Sequence, residues 1–385
     1  MNVLLLANRQ LERQGPGDAK LGYWAWKALS GAGHSVTIVQ LEADAIPRRG
    51  WHALKALVAG QPLQVGVTFS QAAHRKLIEA AAGRVPDLVV AVHARAAAHV
   101  PPRLKPRSLA LLIDAYGQSY QTYAGQLAGP VDAVYRMEQR RMEKFERAVV
   151  TDFARTAVVS DLDQQYLQQL AGRSSAVVRF TLPVDVAFFA ETRRNTQPGS
   201  PVFAFVGRLG YVPNRDALRR LISDVWPVLH ARWPNARLRV IGAGAGRALR
   251  RLLQRPGIEL AANVADIRPH IEDVVALLVP MRLGGGIQTK ILEAMAAGVP
   301  VISTSFGCRG IAARPDHEVL IAETPEDFRR QAERLVTGDR VAADMAAAAR
   351  TWVQAHHATA LFERDVLETC AAISAESERQ AVRYD

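Results

Sequence analysis

Short apolar runs separated by helical periodicity set the organisation of the chain. Val3–Ala7, Ser35–Gln40, Leu88–Val92 behind Pro86, and Leu109–Ile113 read as strands, with an amphipathic helix over Tyr23–Ala32 between the first two. A long charged helix over Tyr135–Val150, with its own i, i+4 pairs, leads to strands at Thr156–Val159 and Ala176–Phe180. The series restarts at Val202–Val206. It continues through a helix from Asp216 to Trp233, a strand Leu238–Ile241, a helix ending at Gln254 and a strand Ala276–Val279. A helix over Ile287–Ala297, stopped by Gly298, and a strand Val299–Ser303 follow. Beyond Glu323 the pattern is helical, at Pro325–Val336, Arg340–Ala355 and Ala360–Ser374.

Strands alternating with helices predict an α/β chain with open parallel sheets covered on both faces. The restart at Val202 makes this two Rossmann-like parallel-sheet units facing across a cleft. Thr192–Pro201, polar and rich in turn formers, is the expected linker. The expected domains are 1–195 and 196–358, with 359–385 as a C-terminal helix. A length of 385 residues suits two domains better than one core. In open sheets of this kind ligands sit beyond the carboxyl ends of the strands, so residues just after each strand are the candidates.

Composition narrows the class. An apolar fraction of 49% with 22% charged residues is that of a folded chain, not a disordered one. Two cysteines, Cys308 and Cys370, stand far apart in no ligand spacing, so neither a disulfide framework nor a zinc site is indicated. No run reaches the roughly 20 apolar residues of a membrane span, and the N-terminal run reads as a buried strand, which together predict a cytoplasmic protein. The net charge of +11 favours anionic partners, either a nucleotide diphosphate, a lipid pyrophosphate or an anionic membrane face. Nucleic acid fits less well, because aromatic residues make up only 6% and no recognition module is present.

The chemistry concentrates in MRLGGGIQTKILEAMAAGVPVIST, Met281–Thr304. Three glycines at Gly284, Gly285 and Gly286 precede a helix, whose first amides and positive dipole end suit phosphate oxygens. Lys290 in the first turn opposes that dipole unless an anion lies in front of it, and Glu293 follows one turn later. A phosphate-binding Lys with a diol-binding Glu is one account; a surface ion pair is the other.

This stretch resembles the donor-site signature of the retaining group 1, or family 4, glycosyltransferases, in the subgroup reading G-x-G-I-x-x-K-x-L-E-A-M-A. The resemblance implies the GT-B fold and a nucleotide-sugar donor, with contacts along Gly284, Gly285, Gly286, Ile287, Gln288 and Glu293. Glu293 would bind ribose hydroxyls. The commoner form of the signature carries an earlier second glutamate that helps hold the sugar; Gly285 stands in its place. Arg208, in VGRL after a strand, matches the family cation that grips the diphosphate with Lys290. Val159, Ser160 and Asp163 match the family's V-S-x-x-D. By the same resemblance, 1–195 is the acceptor side, 196–358 binds the donor, and the last helix crosses back to the first domain.

Other candidates are less specific. Gly15 and Gly17, in ANRQLERQGPGDAKLG, permit a tight loop where the family approaches the donor or acceptor. Gly242 opens a G-x-G that lacks the acidic residue of a dinucleotide site, so close backbone approach to the donor accounts for it better. Asp114 ends a strand where the family places a residue facing the reacting sugar, and a turn cap is its alternative role. Arg48–Gly60 joins basic residues to Trp51, Leu54, Leu57 and Val58 at helical spacing. This pattern fits a helix packed on its own core or an amphipathic helix for a membrane or lipid-linked acceptor. No Asp-x-Asp pair between apolar strands offers itself to a divalent ion, so neither a metal nor another cofactor is expected. The resulting expectation is retaining glycosyl transfer in cell-surface polysaccharide or glycoconjugate assembly, at the inner face of the membrane. A natural-product glycosyltransferase, a sugar-nucleotide epimerase and a non-catalytic carbohydrate-binding scaffold are the alternatives.

Overall fold

The computed structural model describes residues 1–41, 46–83, 85–124, 126, 129–172, 176–196 and 200–382. The chain divides into two compact units, Met1–Pro183 with Thr359–Asp385, and Val184–Ala358. In the first, β1 (Asn2–Ala7), β2 (Ser35–Gln40), β3 (Leu88–Val92), β4 (Ser108–Ile113), β5 (Arg155–Val158) and β6 (Val177–Arg179) form one parallel sheet in the order β2-β1-β3-β4-β5-β6. The interior strand β3 is buried at every residue and β4 at all but the last. Strands covered by helices on both faces have no polar side to present, which is why they read as continuous apolar runs.

The second unit repeats the plan with β7 (Val202–Val206), β8 (Arg237–Gly242), β9 (Ile258–Ala262), β10 (Val274–Val279), β11 (Val301–Ser303) and β12 (Leu320–Ile321), in the order β12-β11-β10-β7-β8-β9. In both sheets the chain works outward on one side and then restarts on the other side of its first strand. The switch points therefore lie between β1 and β3 and between β7 and β10.

The unit boundary falls at Pro183, ahead of the polar linker expected at Thr192–Pro201. Val184 bridges to Ala358, and the Arg194 guanidinium donates to the carbonyls of Ile271 (2.7 Å) and Val274 (2.5 Å), so this segment is tied into the second unit. Gln197, Pro198 and Gly199 of the linker lie outside the described residues. The helix expected over Asp216–Trp233 is Val212–Arg220, a wider π turn Leu221–Val225, and Trp226–Arg232. Pro227 lacks the N–H that the Ser223 carbonyl needs, and the wider turn precedes it.

The C-terminal helix, Thr359–Val382, packs in the first unit. Phe362, Val366, Cys370 and Ile373 are buried along one stripe, and Asp365 accepts the Thr181 N–H at 2.7 Å. The helix Ile46–Val58 turns Ala56 and His52 inward, whereas Trp51 is 58% and Val58 84% exposed, with Leu54 and Leu57 also exposed. Packing on its own core therefore does not account for its apolar stripe. The side chains of Arg48 and Arg49 lie outside the described residues. No described helix is long and apolar enough to cross a membrane.

Candidate functional sites at the two switch points

In the second unit, β7 and β10 end side by side and deliver the two halves of the glycine-loop site. The Gly284–Gly286 loop follows β10, and its helix is Thr289–Ala297, two residues later than expected because Gly286, at φ 63°, holds the chain out of helical conformation. Gly284, at φ 120°, lies against the Pro213 ring, where a Cβ would sit 3.5 Å away. Gln288 is the N-cap but makes no side-chain cap, and no acidic residue stands in the first turn. The helix thus begins with its positive end unneutralised by its own chain. Gly285, Gly286, Ile287 and Gln288 are half-buried along the rim of this loop.

Lys290 is buried in that first turn. Its Nζ donates to Asn214 Oδ1 at 2.5 Å and lies 4.9 Å from the centre of the Phe205 ring. Burial lowers its pKa to about 7, with the Glu293 carboxylate one turn on pulling the other way. Asn214 also donates from Nδ2 to the Arg208 carbonyl at 3.0 Å, so one amide ties the loop after β7 to the lysine after β10. Arg208 itself is exposed, and its guanidinium has no ion-pair partner among the described residues. A Cβ on Gly207 would lie 3.3 Å from Lys290 Nζ. The close approach that requires Gly242 is to Gly207, whose carbonyl oxygen would be 1.9 Å from a Cβ there. Packing of β8 against β7 therefore explains this glycine without a ligand.

In the first unit the strained strand ends are those of β3 and β4, next to the switch point. His93 after β3 and Ile113 at the end of β4 have φ of 79° and 78°, a conformation costly for any side chain and most for a β-branched one. His93 Nδ1 accepts the Arg95 N–H at 3.2 Å, so Nε2 carries the proton of the neutral ring and donates to Tyr116 Oη at 2.9 Å. Burial first and the Arg95 charge second lower the His93 pKa to about 4, which keeps the ring neutral near pH 7.

Asp114 is half-buried, and its carboxyl has no hydrogen-bond or ion-pair partner among the described residues. It is not a cap: the helix Tyr116–Tyr123 begins behind Ala115 without a side-chain cap. Two fully buried acids from elsewhere take the amides of this turn. Asp163 Oδ1 accepts the Ala115 N–H at 3.1 Å, and Glu146 accepts those of Tyr116 at 2.6 Å and Gly117 at 3.2 Å. Ser160 donates its hydroxyl to Asp163 and accepts the Asp163 N–H at 3.1 Å, which gives V-S-x-x-D a local role. Burial, then the neighbouring Asp163 charge, pushes the Asp114 carboxyl up to about 8.

The N-terminal glycines differ from each other. Gly15 closes a turn on the Glu12 carbonyl, and a Cβ there would be 2.7 Å from that of Glu12. Gly17 starts the helix Gly17–Gly31 with open space around it and φ outside the left-handed region, so the fold does not demand a glycine.

Residues 200–338 match the family model described as glycosyl transferases group 1. The second-unit site lies inside this matched domain. That domain contains Arg208, Asn214, Gly242, the glycine loop, Lys290 and Glu293, whereas Asp114 and its buried acids lie outside the matched residues. A curated relative, glycosyltransferase 1 domain-containing protein 1 of Xenopus tropicalis, is 25% identical over 155 residues, 38% of this chain and 44% of that protein. The match thus spans less than half the length of this relative. Among solved structures, Anabaena HepE in complex with UDP-glucose has a TM-score of 0.64 at 15% identity, over 97% of this chain and 100% of that one. Sucrose-phosphate synthase of Thermosynechococcus elongatus has 0.66 at 15%, over the whole of both chains. The two units share the fold of the GT-B glycosyltransferases, with an all-parallel sheet in each.

Sequence reasoning passed over Asn214 as a site residue, although Pro213-Asn214 was visible after VGRL. Glu146 and Tyr116 carried no motif at all.

Proposed function

We propose that the chain transfers a glycosyl group from a nucleoside-diphosphate sugar to a hydroxyl acceptor with retention. The observation that carries this reading is the Lys290–Asn214–Arg208 arrangement at the β7/β10 switch point, ahead of an uncapped helix start. Breaking the bond from the sugar C1 to the phosphate oxygen puts an electron pair on the diphosphate. Lys290, held by Asn214, and the loop amides are preorganised to receive that charge, and the exposed Arg208 guanidinium adds a second cation. Glu293 binds the ribose hydroxyls. The acceptor oxygen attacks C1 from the face the phosphate leaves, and its proton passes to the Asp114 carboxylate. In this reading no divalent ion is needed, because the departing charge meets side-chain cations; chelation with EDTA should leave turnover unchanged.

HepE was solved with UDP-glucose, which makes a uridine diphosphate sugar the first donor to try. The exposed Trp51, Leu54, Leu57 and Val58 beside Lys55 support peripheral contact with an anionic membrane and a lipid-linked acceptor. This points to cell-surface glycoconjugate assembly at the cytoplasmic face. A non-catalytic sugar-binding role is favoured by one observation, Gly285 in place of the signature's first glutamate.

A thermal-shift panel of sugar nucleotides tests the reading. A donor at a hundredfold excess over Kd adds roughly 2.7 kcal/mol of stability, a clear rise in melting temperature. The best ligand should then be turned over to its nucleoside diphosphate. No stabilisation by any sugar nucleotide sinks the proposal; stabilisation without turnover favours the non-catalytic role.

A further inference from the structure

Two carboxylates, Asp163 and Glu146, are fully buried behind the loop that carries Asp114. Burying an acid costs free energy, and part of the return is three backbone hydrogen bonds from one turn. Those three fall on consecutive residues, Ala115, Tyr116 and Gly117, directly after Asp114. A neutral serine or asparagine could accept the same amides. The geometry is close: a Cβ on Gly117 would sit 2.6 Å from Tyr166 Oη and 2.8 Å from Glu146 Oε2. Ile113, at φ 78° just before Asp114, is held in a conformation that relaxes unless something fixes the chain beyond it.

We propose that Asp163 and Glu146 are positioning residues, which clamp the turn after β4 so that the Asp114 carboxyl stands unpaired with the Asp163 carboxylate behind it. The inference rests on the reading of Asp114 as the group that takes the acceptor's proton. The groups around the turn are consistent with it. Glu143 and Glu146 come from the helix Pro130–Asp152, Asp163 and Tyr166 from the helix Asp161–Ala171, and His93, held neutral, from the end of β3. All of these that ionise near neutral pH add negative charge, so none lowers the proton affinity of Asp114. Both acids are fully buried, so neither is exposed to a substrate.

Release of nucleoside diphosphate is followed from about pH 5 to 10, with water as acceptor and the sugar nucleotide of largest thermal shift as donor. Asp163→Asn keeps an acceptor for the Ala115 amide and removes the charge. Its acid-side limb should move down by about one pH unit, with the donor KM within twofold of wild type. A limb left in place while the rate falls at every pH makes Asp163 merely structural and overturns the proposal. Glu146→Gln keeps one acceptor oxygen and should retain most of kcat, whereas Glu146→Ala should lose at least tenfold in kcat at unchanged donor KM. Equal rates for the two overturn the clamp. Either comparison alone decides the matter if one variant proves unfolded by circular dichroism. Asp114→Asn separates the layers: a wild-type rate and pH profile in that variant refutes the role of Asp114 itself, whatever Asp163→Asn does.

Discussion

The two units share a sheet plan and a switch point but build their sites from opposite materials. In the second unit the site is made of backbone amides, one buried cation and one amide side chain, most of it within a single run, Gly284–Glu293, plus the loop after β7. In the first unit it is made of acids drawn from separate helices around one strained turn. In the proposed reading, the second unit's arrangement receives negative charge and the first unit's receives a proton, the two things that leave the reactants in glycosyl transfer. The division teaches that a repeated fold fixes where chemistry can happen and leaves the side chains to decide its sign.

Removing the proposed proton acceptor should have the largest effect. Asp114→Asn is expected to lower kcat by roughly 100-fold or more, the scale of general acid–base catalysis, with donor affinity intact in a separate binding measurement. The same residue sets a pH signature in kcat/KM. Asp114 must have lost its proton, so activity falls as pH drops below about 8; Lys290 in the free protein must keep its own, so activity falls as pH rises above about 7. The profile should peak between these values, and Asp114→Asn should flatten only the acid side. A rate equal to wild type would reduce the contrast between the units to one working site and one scaffold.

Next in size is Lys290→Ala, expected to weaken turnover by roughly 2–4 kcal/mol, the range for losing a preorganised charge-stabilising group. Steady-state kinetics with calorimetric binding reads it directly; unchanged donor binding and rate would make this lysine a core residue over Phe205. Asn214→Ala should cost about 1–2 kcal/mol in donor affinity, since it unties the Arg208 loop and leaves buried polar groups unmatched. The smallest effect is expected for Glu293→Gln, about 1 kcal/mol of nucleotide affinity with the melting temperature nearly unchanged. If that variant instead unfolds early and binds normally, Glu293 supports the helix and not the nucleotide.

The same contrast governs what could be read from the sequence. The second site was legible because its parts are adjacent: glycines that break a helix start, a lysine where the dipole disfavours one, and a strand ending in VGRL. The parallel strands were legible because burial on both faces leaves nearly unbroken apolar runs. Edge strands β9 and β12 escaped, since β9 is half-buried along its length and β12 has only two residues, Leu320 and Ile321. The unit boundary was misplaced because the eye follows composition, whereas Val184–Asn195 is tied down by hydrogen bonds of Val184, Arg194 and Asn195 to the second unit. Asp114 was visible as a strand end, but nothing near it announces Glu146, which lies 30 residues on and acts through backbone amides. Gly242 was noticed for a correct reason, close approach, with the partner misjudged: it is the Gly207 carbonyl.

The return of Thr359–Val382 to the first unit has a consequence for the order in which the protein is made. Phe362, Val366, Cys370 and Ile373 complete a core that begins at Asn2, and Asp365 satisfies the amide of Thr181. A ribosome must therefore deliver the whole of Val184–Ala358 before the first-made unit can close. During synthesis the early sheet waits with one flank uncovered, while the second unit, contiguous in the chain, is free to fold first. The domain that begins the sequence is the last to be finished.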